Sequence, residues 1–82
     1  MLDGGGIDLS RLELGLLRHL QRREGAAVSR EELLREVWGH QWTGSSSNAV
    51  EAVVSGLRRK MGDRAKALET VRGVGYRLGP LR

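Results

Sequence analysis

The 82-residue chain contains no cysteine, a single proline and no phenylalanine, and its only aromatic residues are Trp38, Trp42 and Tyr76. Without cysteine there is neither a disulfide framework nor a thiolate metal site, so packing alone must stabilise the fold. With three aromatics there is no platform on which unstacked bases of single-stranded RNA would lie. No apolar run approaches the ~20 residues of a membrane-spanning helix, and Met1–Gly6 has neither the basic start nor the apolar core of a secretory signal, so a soluble, cytoplasmic protein with no membrane partner is expected. His19 and His40 stand too far apart in sequence to begin a metal site, and no acid pair or serine sits in a catalytic constellation. Gly73-Val74-Gly75 lacks the third glycine and the strand–helix setting of a dinucleotide loop. No enzyme, cofactor or metal is expected.

What the chain does contain is positive charge in one place. Residues 1–44 hold six arginines against seven acids, whereas residues 45–82 hold eight Lys and Arg against three acids, which concentrates the whole net charge of +4 in the second half. Such a half favours a polyanion, because neutralising phosphates releases counterions; a solvated basic surface is the plainer alternative. At 39% hydrophobic residues, the chain can build one modest core but no large enclosed cavity.

Capping grammar divides the chain into elements. Gly4-Gly5-Gly6 reads as a linker, with structure beginning near Ile7-Asp8-Leu9. Ser10-Arg11-Leu12-Glu13 has capping-box spacing, with Leu9 and Leu14 placed as a hydrophobic staple, and Leu12, Leu16, Leu17 and Leu20 continue as an apolar stripe to a stop at Gly25. Ser29-Arg30-Glu31-Glu32 repeats the pattern between Val28 and Leu33, predicting a second helix of about ten residues that ends at Gly39. His40 to Ser47 has no periodicity and reads as a loop, leaving open which serine caps the next helix. In the third helix Val50, Val54, Leu57 and Met61 form the buried stripe, and Asn48, Ala52, Ser55 and Arg59 fall opposite it, where a groove would meet them. After a linker over residues 62–66, Leu68 to Arg72 and Tyr76 to Leu78 predict a hairpin around the loop Gly73-Val74-Gly75, in which both glycines have access to positive φ. Gly79-Pro80 closes the ordered region. The expected organisation is a linker or residual strand over 1–8, one domain over 9–79 and a tail over 80–82, mainly α with a C-terminal β-hairpin.

A helix fits a major groove, and an arginine-tipped hairpin reaches a neighbouring minor groove. Three separated motifs make the pattern specific: Ser29-Arg30-Glu31-Glu32-Leu33-Leu34 with Val37-Trp38-Gly39, then Val50 through Leu57-Arg58-Arg59-Lys60, then Glu69-Thr70-Val71-Arg72-Gly73-Val74-Gly75-Tyr76-Arg77. In this order they resemble the DNA-binding effector domain of the OmpR/PhoB family of bacterial response regulators, a winged helix-turn-helix of three helices plus a wing. The resemblance implies a transcription regulator of a two-component system whose third helix reads double-stranded DNA. It places Trp38 and Thr70 near phosphates, Arg58 on the backbone, Arg72 in the minor groove and Tyr76 at the wing base. It also implies head-to-tail pairing on DNA, a monomer when isolated, and an RNA polymerase contact through His40, Gln41, Trp42 and Thr43. Arg59 and Lys60 extend the basic end of the reading helix.

Each assignment has a structural competitor. Trp38 and Tyr76 are also the large residues a small core needs, and Arg58, Arg59 and Lys60 also suit the negative end of a helix dipole. Departures from the family are equally informative. Relatives carry arginine or histidine where this chain has Asn48, Val53, Ser55 and Gly56, so the groove face is weakly charged. The small N-terminal sheet of the family is expected to be missing or truncated, and no receiver domain lies within these residues. The alternative function is a winged-helix module that binds RNA polymerase or a partner regulator, with Trp42 as its anchor.

Overall fold

The computed structural model describes residues 8–39 and 48–80. The first helix, α1 (Arg11–Arg22), begins with the expected reciprocal cap: Ser10 Oγ accepts from the Glu13 amide at 3.2 Å and Glu13 Oε1 accepts from the Ser10 amide at 2.8 Å. The two residues expected to form a staple there differ in burial. Leu9 packs on the core, but Leu14 is exposed on the outer side of α1.

A two-residue strand, β1 (Val28–Ser29), precedes the second helix. It had no sequence signal, since two residues are too few to show alternation. Ser29 caps α2 (Arg30–Leu33) by accepting from the Glu32 amide at 3.0 Å. The reciprocal half of this box is absent, because the Glu32 carboxylate is drawn away to His19 and Arg23. The helix then widens into a π-helical turn, Leu34–Trp38, and stops at Gly39, whose φ of 55° lies in the left-handed region. Gly15 lets this segment approach α1: a Cβ there would stand 3.2 Å from Val37 Cγ1.

The helix that carries the basic cluster, α3 (Ala49–Met61), starts at Asn48 and not at a serine, with no side-chain cap bond from Asn48. Its predicted stripe of Val50, Val54, Leu57 and Met61 is buried against Leu16, Leu17 and Leu20 of α1 and Leu33, Leu34 and Trp38 of the second helix. Residues taken from sequence as linker form a 3₁₀ helix, Gly62–Ala67, leading into the hairpin of β2 (Leu68–Val71) and β3 (Gly75–Leu78). The three strands make an antiparallel sheet in the order β1-β3-β2, with Val28 opposite Tyr76 and Val71 opposite Gly75.

The three-residue loop is therefore Arg72-Gly73-Val74, one residue earlier than predicted. Only Gly73 has positive φ, at 79°. Gly75 is needed for a different reason: a Cβ on it would lie 2.0 Å from the Val28 carbonyl oxygen of β1. The pairing of β1 with β3, invisible in the hairpin sequence, pulls Gly75 into the strand and displaces the turn.

Candidate nucleic-acid interface

The side chains predicted for a groove do share one surface. Asn48, Ala52, Ser55 and Arg59 are exposed along the outer face of α3, opposite the stripe that enters the core. The hairpin stands beside this helix and lifts Arg72 to its exposed tip. Among the described residues neither Arg59 nor Arg72 has an ion-pair partner, so both guanidinium groups remain available to an anion.

Arg58 occupies a different position, between helix and wing. Its Nε and Nη2 donate to the Leu68 carbonyl at 3.0 and 2.8 Å, and Nη2 also donates to Thr70 Oγ1 at 3.0 Å. The guanidinium carbon lies 5.9 Å from the Tyr76 ring centre, within cation–π range. Arg58 therefore locks α3 to β2 and β3, and the exposed Thr70 is held as its acceptor. Tyr76 is only 7% exposed, and burial, followed by the nearby Glu51 carboxylate, pushes its phenol pKa up. Trp38 is likewise 7% exposed and belongs to the core cluster.

Lys60 is not on the groove face. One residue after Arg59, it is turned roughly 100° around the helix, and its Nζ donates to Glu13 Oε1 and the Asp8 carbonyl, both at 2.8 Å. From sequence it was grouped with Arg58 and Arg59 as one basic run; the helix distributes the three over the wing side, the outer face and the α1 side. His40, Gln41, Trp42 and Thr43, expected to form the polymerase-contact loop, lie outside the described residues, as does any N-terminal strand before residue 8.

Two residues not singled out as site residues complete the cleft between α3 and the wing. Arg30 Nε and Nη2 donate to Glu51 Oε2 and Oε1 at 2.7 and 3.1 Å, joining the start of the second helix to the first turn of α3. Hydrogen bonding from Arg30 holds the Glu51 carboxyl below its ordinary pKa, so the pair is ionised. The sequence did carry a signal, because Glu51 is the single acid within Ala49–Met61. With Thr70, Arg72 and Tyr76, these side chains line a concave, charged surface. The described residues contain no group of three or more His, Asp or Glu arranged to hold a metal ion, and no helix among them is long and apolar enough to cross a membrane.

Comparison with known proteins places this geometry. The model of the family described as "Transcriptional regulatory protein, C terminal" matches residues 4–78. The transcriptional regulatory protein AfsQ1 of Streptomyces coelicolor is 47% identical over 95% of this chain and 36% of its own length, and TrcR of Mycobacterium tuberculosis is 44% identical over 95% and 30%. The chain thus spans about a third of the length of these relatives. Among solved structures, the DNA-binding domain of Klebsiella pneumoniae RstA in complex with the RstA box superposes with a TM-score of 0.76 at 31% identity, covering 93% of this chain and 79% of that one. The DNA-binding domain of Bacillus subtilis CssR gives 0.74 at 37% identity, covering 88% and 78%. By its motifs, its fold and its relatives, the chain belongs to the family of transcriptional regulatory protein C-terminal domains, of the OmpR/PhoB type.

Proposed function

We propose that this chain is the double-stranded DNA-binding output domain of a bacterial response regulator and has no enzymatic activity. The single observation that carries the reading is the placement of two arginines with no ion-pair partner among the described residues, Arg59 exposed on the outer face of α3 and Arg72 exposed at the tip of the hairpin that Arg58 ties to that helix. A helix of this width enters a major groove, and an arginine on a thin hairpin enters the minor groove beside it. Asn48, Ala52 and Ser55 then face base edges. An asparagine amide pairs with adenine, and a small apolar side chain touches a thymine methyl. The RstA complex supports the reading, since that domain is similar to this one in fold and sequence and was solved with its DNA box.

Arg58, Thr70 and Tyr76 contribute chiefly by fixing the wing against α3, so that both grooves are addressed in register. Trp38 contributes by packing behind the second helix. In the cell the domain acts in the cytoplasm, pairing head to tail on repeated half-sites, and the segment His40–Thr43 meets RNA polymerase; these last points rest on the family resemblance.

Fluorescence anisotropy with a duplex selected from a random pool tests the proposal. Arg72→Ala should weaken binding most where the flank beneath the wing is A·T-rich, and Arg59→Ala should weaken it at the major-groove site. Each is expected to lower the slope of log K against log salt by about one if its arginine also neutralises a phosphate. A wild-type domain that selects no duplex, or two variants that bind as wild type does, would refute it.

A further inference from the structure

The lysine that closes the basic run of α3 faces away from the surface proposed to meet DNA, and its partners are unusual for a surface cation. Glu13, which accepts from its Nζ, has a side chain only 9% exposed. The same carboxylate oxygen accepts from the Ser10 amide, so Glu13 caps α1 and receives Lys60 at once. Burial alone would push the Glu13 carboxyl up, but the Lys60 and Ser10 hydrogen bonds outweigh it and leave the pKa lowered, so the group is ionised. The other oxygen rests against the backbone of α3: a Cβ at Gly56 would stand 2.8 Å from Glu13 Oε2. Arg59 Nη2 is 3.8 Å from that same point, so the carboxylate lies just behind the arginine that faces the groove.

We infer that Lys60 is a positioning residue, which with Glu13 sets the roll of α3 and thereby the aim of Arg59, and that Gly56 is the gap that lets the carboxylate seat. The inference rests on the DNA-binding reading above and deepens it. Glu51 is tethered by Arg30 at the start of α3, and Arg58 by Leu68 and Thr70 on its wing side. Neither restrains the α1 side near the C-terminal end. Among the described residues Lys60 supplies the polar contacts that do so, to Glu13 and to the Asp8 carbonyl that precedes α1. Without it, rotation of the helix would move Asn48, Ala52, Ser55 and Arg59 relative to base edges while leaving the charge of the groove face intact.

Anisotropy titrations of the same domain with its selected duplex and with an unrelated duplex, each at several salt concentrations, separate positioning from phosphate binding. Lys60→Met, Glu13→Gln and Gly56→Ala should each lose about fivefold or more in affinity for the selected duplex, the scale of one impaired base contact. Their binding to the unrelated duplex and their salt slopes should be unchanged, and Lys60→Met with Glu13→Gln should cost no more than either alone. Gly56→Ala removes no charge and raises helix propensity, so it reports on the seat even if Glu13→Gln weakens the fold; circular dichroism melts ensure that titrations are run on folded protein. The inference fails if Lys60→Met lowers the salt slope by about one and weakens both duplexes alike, which is the signature of a lost phosphate contact. It fails equally if selected-site affinity is retained in Lys60→Met and Gly56→Ala. If wild type selects no duplex, the DNA-binding reading fails instead, and the two failures are distinguishable.

Discussion

Alanine at Gly75 should destabilise this domain more than alanine at Gly73, although of the two only Gly73 has a left-handed backbone. At Gly75 the added Cβ would meet the Val28 carbonyl oxygen at 2.0 Å, and the Ser29 Cα and Val28 carbonyl carbon at 3.0 Å. Carbon and oxygen atoms on adjacent strands come no closer than about 3.3 Å, so β1 would have to move by more than ~1 Å. A two-residue strand has no ladder to spread that movement over, and its bonds to β3 would stretch beyond useful length. Losing one or two such bonds costs about 1 kcal/mol each. Partial withdrawal of Val28, which is 0% exposed, adds about 1–2 kcal/mol. The reduced freedom of the unfolded chain returns about 0.4–1 kcal/mol. The net loss is about 2–3 kcal/mol, which at about 4–8 °C per kcal/mol for a domain this size lowers the melting temperature by roughly 10–20 °C. At Gly73 a Cβ meets nothing within 4 Å, so only its φ of 79° opposes alanine, at about 1–2 kcal/mol, and the same return from the unfolded chain leaves a net loss of about 1 kcal/mol. Urea denaturation of the two variants, followed by circular dichroism, gives the comparison directly. A Gly75→Ala variant as stable as Gly73→Ala would mean that β1 is not held against β3 as described, and the account of the displaced turn would fall with it.

Other consequences can be checked on the same protein. Hydrogen bonds from Arg23 and then His19 lower the Glu32 pKa from an ordinary 4.5 to about 2, so its stabilisation is present above about pH 4.5 and lost as the pH falls toward 2. Denaturation midpoints should decline through that window, with a shallower decline in Glu32→Gln; an identical acid profile in the variant would contradict the assignment. Ser29→Ala removes the acceptor for the Glu32 amide and should cost about 1 kcal/mol in urea titrations, as expected for a lost N-cap. Gly15→Ala should gain up to about 1 kcal/mol of helix propensity and forfeit part of it to the 3.2 Å approach of Val37 Cγ1. A Val37→Ala background should relieve that approach, so Gly15→Ala is expected to be more favourable there than in wild type; equal effects in both backgrounds would rule out the contact.

The sequence was most legible where a local rule determined the outcome. The Ser10 and Ser29 caps and the Val50, Val54, Leu57, Met61 stripe follow from spacing within one helix, and each is present where spacing puts it. What sequence could not supply were the choices settled between distant segments. Glu32 had the spacing to complete a capping box, but His19 of α1 and Arg23 just after it offered side-chain partners, and the charge-assisted bond from Arg23 exceeds a bond to a neutral amide. Gly75 had the identity of a turn residue, but the Val28 carbonyl from 47 residues earlier in the chain made it a strand residue. Lys60 had the charge of a DNA ligand, but one step along a helix turns a side chain by roughly 100°, so three consecutive cations cannot share a face. The same geometry accounts for how little charge the outer face of α3 carries. Arg58 braces the wing and Lys60 engages α1, which leaves Arg59 as the helix's outward cation beside Arg72 on the wing. On the DNA-binding reading proposed above, the residues that supply no charge, Asn48, Ala52 and Ser55, would carry the discrimination between base pairs, with a precision that depends on how firmly the cations on either side hold α3 in place.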